Sequence, residues 1–85
     1  MRSEVMLTVE GITSAGHYAA VSKYLEGLMQ IVSVQPVRVY SDIVAFKIRS
    51  EGEAQQIVDV IELDRKLSLL RQDEGAAMLW YRWIP

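Results

Sequence analysis

The feature that most limits what this chain can become is the repeated switch of its hydrophobic period, from two residues to three or four and back again. Val5, Leu7 and Val9 alternate with Glu4, Met6, Thr8 and Glu10, which is the pattern of a half-buried strand. Gly11 breaks it, and Thr13 or Ser14 can accept a hydrogen bond from the free amides of a helix beginning near Ala15. Tyr18, Val21, Leu25 and Leu28 then recur at spacings of three and four, opposite Ser22, Lys23, Glu26 and Gln30, and predict an amphipathic helix. Gly27 either permits close packing at the end of that helix or weakens it.

The period then returns to two. Val32, Val34, Val37 and Val39 are dense and β-branched, but their alternation skips a beat across Gln35-Pro36, as a bulge would make it. Proline has no amide hydrogen to give to a ladder, so this strand is expected at a sheet edge. After the turn residues Tyr40-Ser41-Asp42, Val44, Phe46 and Ile48 alternate with Ile43, Ala45, Lys47 and Arg49, which completes a hairpin. Ser50-Glu51-Gly52-Glu53 fits a capping box for a second helix with a buried stripe of Ala54, Ile57, Val58 and Ile61, ending near Asp64 or Arg65. Leu67, Leu69 and Leu70 either extend that helix or form an extra short strand, and the turn residues Asp73-Glu74-Gly75 favour the strand. Met78 to Ile84 is aromatic and β-prone, and Pro85 ends it.

With right-handed crossovers, this order predicts an α+β fold, a ferredoxin-like βαββαβ two-layer sandwich. Its sheet would be four-stranded and antiparallel in the spatial order 4-1-3-2, with two helices on one face and room for the extra short strand near Leu67 to Leu70. The order places the second strand at an edge, where Pro36 independently requires it. At 85 residues the chain has room for one core, so residues 1–85 are read as a single domain. An apolar fraction of 51% with 24% charged residues is that of a chain that folds.

Composition also excludes chemistry. With no cysteine there is no disulfide, thiolate nucleophile or sulfur-ligated metal. A net charge of −2 generates no field that would hold a polyanion, so nucleic acid is not an expected partner. The stretches without charge, Gly11 to Ser22 and Gly27 to Val37, are shorter than the ~18 to 20 apolar residues that cross a bilayer, so no membrane span is expected. Met1-Arg2-Ser3 leads straight into Glu4 with no signal-peptide core, so the expected setting is the cytoplasm unless the chain is a piece of a larger protein.

No catalytic constellation emerges. His17, the one histidine, has neither a nucleophile nor an orienting carboxylate beside it in sequence and is read as a solvent-facing helix residue. The carboxylates fall on caps, outer helix faces and turns rather than in a pair able to separate their pKa values. Arg65, Lys66 and Arg71 lie among acids and are too few to neutralise a phosphate backbone. Phe46 on the core side of its strand leaves no aromatic platform for RNA. Neither a cofactor nor a metal is expected.

Two groups of residues remain as candidates. The loop Gly11, Ser14, Gly16 and His17 occupies the place where regulatory domains of similar architecture bind small ligands, although a glycine in such a turn has backbone reasons enough. At the other end, Trp80, Arg82 and Trp83 form a candidate interaction surface, because tryptophan and arginine are enriched where proteins bind one another. Alternation sends Tyr81 and Trp83 one way and Trp80 and Arg82 the other, so at least one tryptophan is expected on the helix-free face or its rim.

The residues Val9-Glu10-Gly11-Ile12, then Tyr18, Val21, Leu25 and Leu28 leading into Val32 and Val34, and finally Leu79-Tyr81-Arg82-Trp83, carry a family likeness. Together they resemble the C-terminal part of a bacterial family, domain of unknown function two-thousand-and-sixty-six. The resemblance covers most of the chain and rests largely on core positions. It implies a fragment of a larger cell-envelope or periplasmic protein, with no catalytic residues assigned. The expectation is a non-catalytic protein-binding or assembly module whose partner is another protein, a neighbouring domain or a second copy in a homodimer. The alternative is a small-ligand-sensing regulatory domain.

Overall fold

The computed structural model describes residues 2–73 and 75–85. Met1 lies outside the described residues, as does Glu74, which was expected in the turn before the last strand. The elements are β1 (Arg2–Glu10), α1 (Ala15–Glu26), β2 (Ile31–Tyr40), β3 (Ile43–Glu51), α2 (Gln55–Asp64), β4 (Leu67–Asp73) and β5 (Met78–Trp83). The strands form one sheet in the order β2-β3-β1-β5-β4. Every adjacent pair is antiparallel except β1 and β5, which run parallel.

The sheet therefore corrects the expected four antiparallel strands in the order 4-1-3-2. The neighbours β2, β3 and β1 are as expected, but the chain emerging from α2 does not return beside β1. It runs out to the far edge as β4, then turns back as β5 into the space next to β1. One added strand reverses the direction of whatever follows it, which is why β5 lies parallel to β1. Leu67 anchors the new strand: it is 3% exposed and pairs with Trp83, while Leu69 pairs with Tyr81. Leu-rich and poor in β-branched residues, this segment is a weak strand former, and its pairing with β5 overrides local preference.

Both helices cover the same face. Val5, Leu7, Val9, Val44, Phe46, Ile48, Leu79 and Tyr81 from the strands form one buried cluster with Val21, Leu25, Ile57, Val58 and Ile61 from the helices. Burying each such side chain stabilises by roughly 1.5–3 kcal/mol before chain entropy is subtracted. Ser14 caps α1, its Oγ accepting from the His17 amide at 3.1 Å, and Gly27 closes the helix by donating to the Lys23 and Tyr24 carbonyls. β2 lies at the edge, as Pro36 demanded, with irregular pairing at Ile31/Ser33 and at Pro36/Arg38.

The start of α2 differs from expectation. Ser50 is no cap: it is wholly buried within β3, which continues to Glu51. Gly52 then turns the chain at φ +81°, and the residue preceding α2, Ala54, offers no side-chain cap. The serine belongs to the alternation of β3, following Val44, Phe46 and Ile48 on the covered face, and this period prevails over the cap motif.

Candidate functional site

The strands' other face carries no helix. Cross-strand register brings Arg38, Ala45, Thr8, Trp80 and Arg71 into one row spanning all five strands, and Gln35, Lys47, Met6, Met78 and Asp73 into the next. Trp80, 38% exposed, stands as a ridge on this face. On one side of it lies a concave groove of about 620 Å³, with Val37, Arg38 and Tyr40 on the opposite wall and Met6, Thr8, Ile43 and Ala45 in the floor. On its other side is a smaller trough of about 210 Å³ bounded by Arg71, Asp73 and Met78. The bulge at Pro36/Arg38 turns Val37 towards the groove.

Trp80 is held in place by a neighbour on the same face. Its Nε1 donates to Glu10 Oε2 at 3.4 Å, and the same carboxylate accepts from Arg82 Nη1 at 3.3 Å. Charge is distributed unevenly about the molecule. Although the chain carries net −2, this face presents Arg2, Arg38, Lys47, Arg49, Arg71 and Arg82 against only Glu4, Glu10, Glu51 and Asp73. All four carboxylates are paired, with Lys47, Arg82, Arg2 and Arg71 at 3.7, 3.3, 3.1 and 2.8 Å respectively. Such exposed pairs contribute little to stability, about 0–1 kcal/mol each. Their consequence is that Arg38 on β2 and Arg49 on the neighbouring β3 have no carboxylate partner among the described residues.

No protein-family model matches the chain, and searches of curated proteins and of solved structures found nothing similar. The chemistry of the site must therefore be read from its own residues.

The structure separates the residues of the expected interaction surface. Trp80 and Arg82 share the open face, whereas Trp83 turns to the helix side, where its ring lies 6.3 Å from that of His17 at 49°. The ligand-loop candidates come together but satisfy one another. Ser14 Oγ is occupied by the His17 amide, and His17 Nδ1 accepts from the Thr13 amide at 3.3 Å with Thr13 Oγ1 at 3.1 Å. His17 is thus half-buried against Trp83, not the solvent-facing residue expected. Gly11 has φ +86°, a conformation that explains its identity without a ligand. Gly16 sits in the first turn of α1, where a Cβ would meet only Ser14 Oγ at 3.7 Å.

Among the described residues no cluster of three or more His, Cys, Asp or Glu is placed to hold a metal ion. The titratable groups that are perturbed lie on the helix-covered side of the sheet. Burial pushes the Tyr81 phenol up to about 12, with the negative charges of Glu62 and Asp59 adding to the effect. Burial also raises the Tyr24 phenol, helped by its hydrogen bond to Asp64 Oδ2 at 2.6 Å and by that carboxylate's charge. Both shifts favour neutral, unreactive phenols. No helix among the described residues is long and apolar enough to cross a membrane.

Sequence reasoning missed the groove, though a signal for it was present. Ile43 and Ala45 are apolar residues at the outward positions of β3, and Met6 holds an outward position of β1. Only the register between strands reveals that these lie side by side with Val37 and Tyr40.

Proposed function

We propose that this chain is a non-catalytic protein-binding or assembly module that engages its partner through the helix-free face of the sheet. One observation carries the reading: Trp80, a large side chain braced by Glu10, borders an apolar groove on a face where Arg38 is left without a counter-charge. Exposed tryptophan, tyrosine and arginine around a concave apolar floor are the composition of binding hot spots. Contiguous exposed apolar surface on a small domain is also a recognised mark of an interaction site. The alternative of a ligand-sensing loop at Gly11 to His17 is weakened because its polar groups are already occupied by one another.

The fold fits this use. We read it as a ferredoxin-like βαββαβ unit elaborated by one strand, a two-layer arrangement that leaves one sheet face free. The resemblance to domain of unknown function two-thousand-and-sixty-six adds a setting, that of one piece of a larger envelope protein, where a docking domain has neighbours to meet.

Site-specific photo-crosslinking in cells tests the reading. A crosslinking amino acid at Ala45 on the open face is expected to trap a discrete protein adduct that Trp80→Thr abolishes. The same probe at Gln56 on the outer side of α2 is expected to trap none. Equal labelling from both positions, or no adduct from Ala45, contradicts the proposal.

A further inference from the structure

The groove's dimensions and charge narrow its occupant, and we propose that it receives an amphipathic α-helix with acidic flanks from a partner protein. This rests on the protein-binding reading above and specifies the partner's chemistry.

Width comes first. The walls stand on β2 (Val37, Tyr40) and β5 (Trp80), with β3 and β1 between them as floor. Three strand spacings of ~4.8 Å set the wall strands about 14 Å apart, less the thickness of the wall side chains. An α-helix with its side chains is about 10–12 Å across, so the trough has room for one helix and no more. An added strand has no place there, because β3 and β1 each already pair with neighbours on both sides. Recognition must therefore come from side chains. The small residues Ala45 and Thr8 at mid-floor leave space for an apolar ridge to descend, the manner in which helices dock into grooves.

Charge sets the second requirement. Arg38 lies on the wall of the groove, opposite Ala45 in register. Four residues further along β3, the groove gives way to a polar cleft of about 220 Å³ formed by Ser33, Gln35, Lys47 and Arg49. The two cations of this face without carboxylate partners thus lie towards the β2 side of the trough, about 14 Å apart by strand geometry. No acid lines either cavity. A helix lying along β1 and β3 would meet both arginines if it carried carboxylates two turns apart on one flank, about seven residues or ~11 Å along its axis, with the long side chains closing the remaining distance. A neutral or basic helix would leave Arg38 desolvated without compensation, which opposes the wrong partner as well as favouring the right one.

The experiment uses two synthetic helical peptides of about 18 residues (~27 Å) that share one leucine stripe and differ only in flanking Glu or Lys. Each is titrated into the intact domain by calorimetry at low salt, and backbone amide shifts map the contact. The Glu peptide is expected to bind about tenfold or more tightly than the Lys peptide, the scale of one close interfacial charge pair. Its shifts should centre on β1, β2, β3 and β5. Arg38→Glu should reverse the preference between the peptides, and Trp80→Thr should weaken the Glu peptide while leaving the fold intact. Equal binding of both peptides, no binding, or shifts confined to α1 and α2 would overturn the proposal. So would concentration-dependent dimerisation that Trp80→Thr dissolves, because the groove would then belong to a second copy. An adduct from Ala45 to a partner that contacts it without an acidic helix would sink this inference alone and leave the binding reading standing.

Discussion

On β1 the residues Val5, Leu7 and Val9 are inaccessible to water, while Met6 and Thr8, one step away on the same strand, line an open groove. β3 repeats the contrast, with Val44, Phe46 and Ile48 against Ile43 and Ala45. The two faces share one backbone and one ladder of hydrogen bonds, yet their side chains meet different demands. The covered face is packed by both helices into a continuous apolar cluster. The open face has a tryptophan ridge, arginines and a floor of modest side chains. A strand's period of two lets stability and recognition occupy alternate residues, so a substitution on one face should leave the other's property intact.

The sharpest way to break that division is to remove a large side chain from the covered face. Phe46 is wholly buried and stacks on Tyr18 with ring centroids 6.1 Å apart. Phe46→Ala is expected to cost about 3–5 kcal/mol in urea unfolding. That is a large part of the total for a domain of this size, at about 0.05–0.15 kcal/mol per residue. A loss below ~1 kcal/mol would mean that the covered face is not the core.

The contrast between the faces was legible in the sequence wherever a single strand's alternation carried it. Val5, Leu7 and Val9, the helical stripes of α1 and α2, and the edge position required by Pro36 all follow from local period and from proline's missing donor. What depended on relations between strands was hidden. The extra strand near Leu67 to Leu70 was expected from its flanking turn residues, but only its pairing with β5 reveals that it takes the far edge and makes the sheet five-stranded and mixed. Ser50 read as a cap because two local signals compete there, and the alternation of β3, which carries it onto the covered face, prevails over the motif. The groove was concealed because it depends on register between strands. Trp80 could be noticed from its residue type, but Arg38, Tyr40, Ile43 and Ala45 become a wall and floor only once β2, β3, β1 and β5 lie side by side.

Titration sharpens the comparison, because the raised phenols lie on the helix side of the sheet. Tyr81 points there with its hydroxyl buried and without a hydrogen-bond partner among the described residues. Its folded-state value of about 12 lies above the ordinary 10, so the folded state holds the proton after the unfolded chain has released it. Its contribution is therefore intact below pH ~10 and declines as pH rises towards about 12. Tyr81→Phe should reduce the alkaline loss of stability by about 2–3 kcal/mol at pH ~12. Near pH 7 it should change stability by no more than about 1 kcal/mol, because no intramolecular hydrogen bond is lost. Urea midpoints measured from neutral to alkaline pH check this, and an unchanged alkaline slope would contradict it.

The division between the faces is tested most directly by the unfolding free energy of one triple variant, Met6→Thr, Ala45→Thr and Trp80→Thr. Threonine preserves strand propensity while stripping the open face of its apolar floor and ridge. The variant is expected to lose clearly less than Phe46→Ala does, since Met6, Ala45 and Trp80 are only partly covered and their truncation leaves no closed cavity. A loss equal to or greater than that of Phe46→Ala alone would show that the open face belongs to the core and is not a surface kept free for a partner.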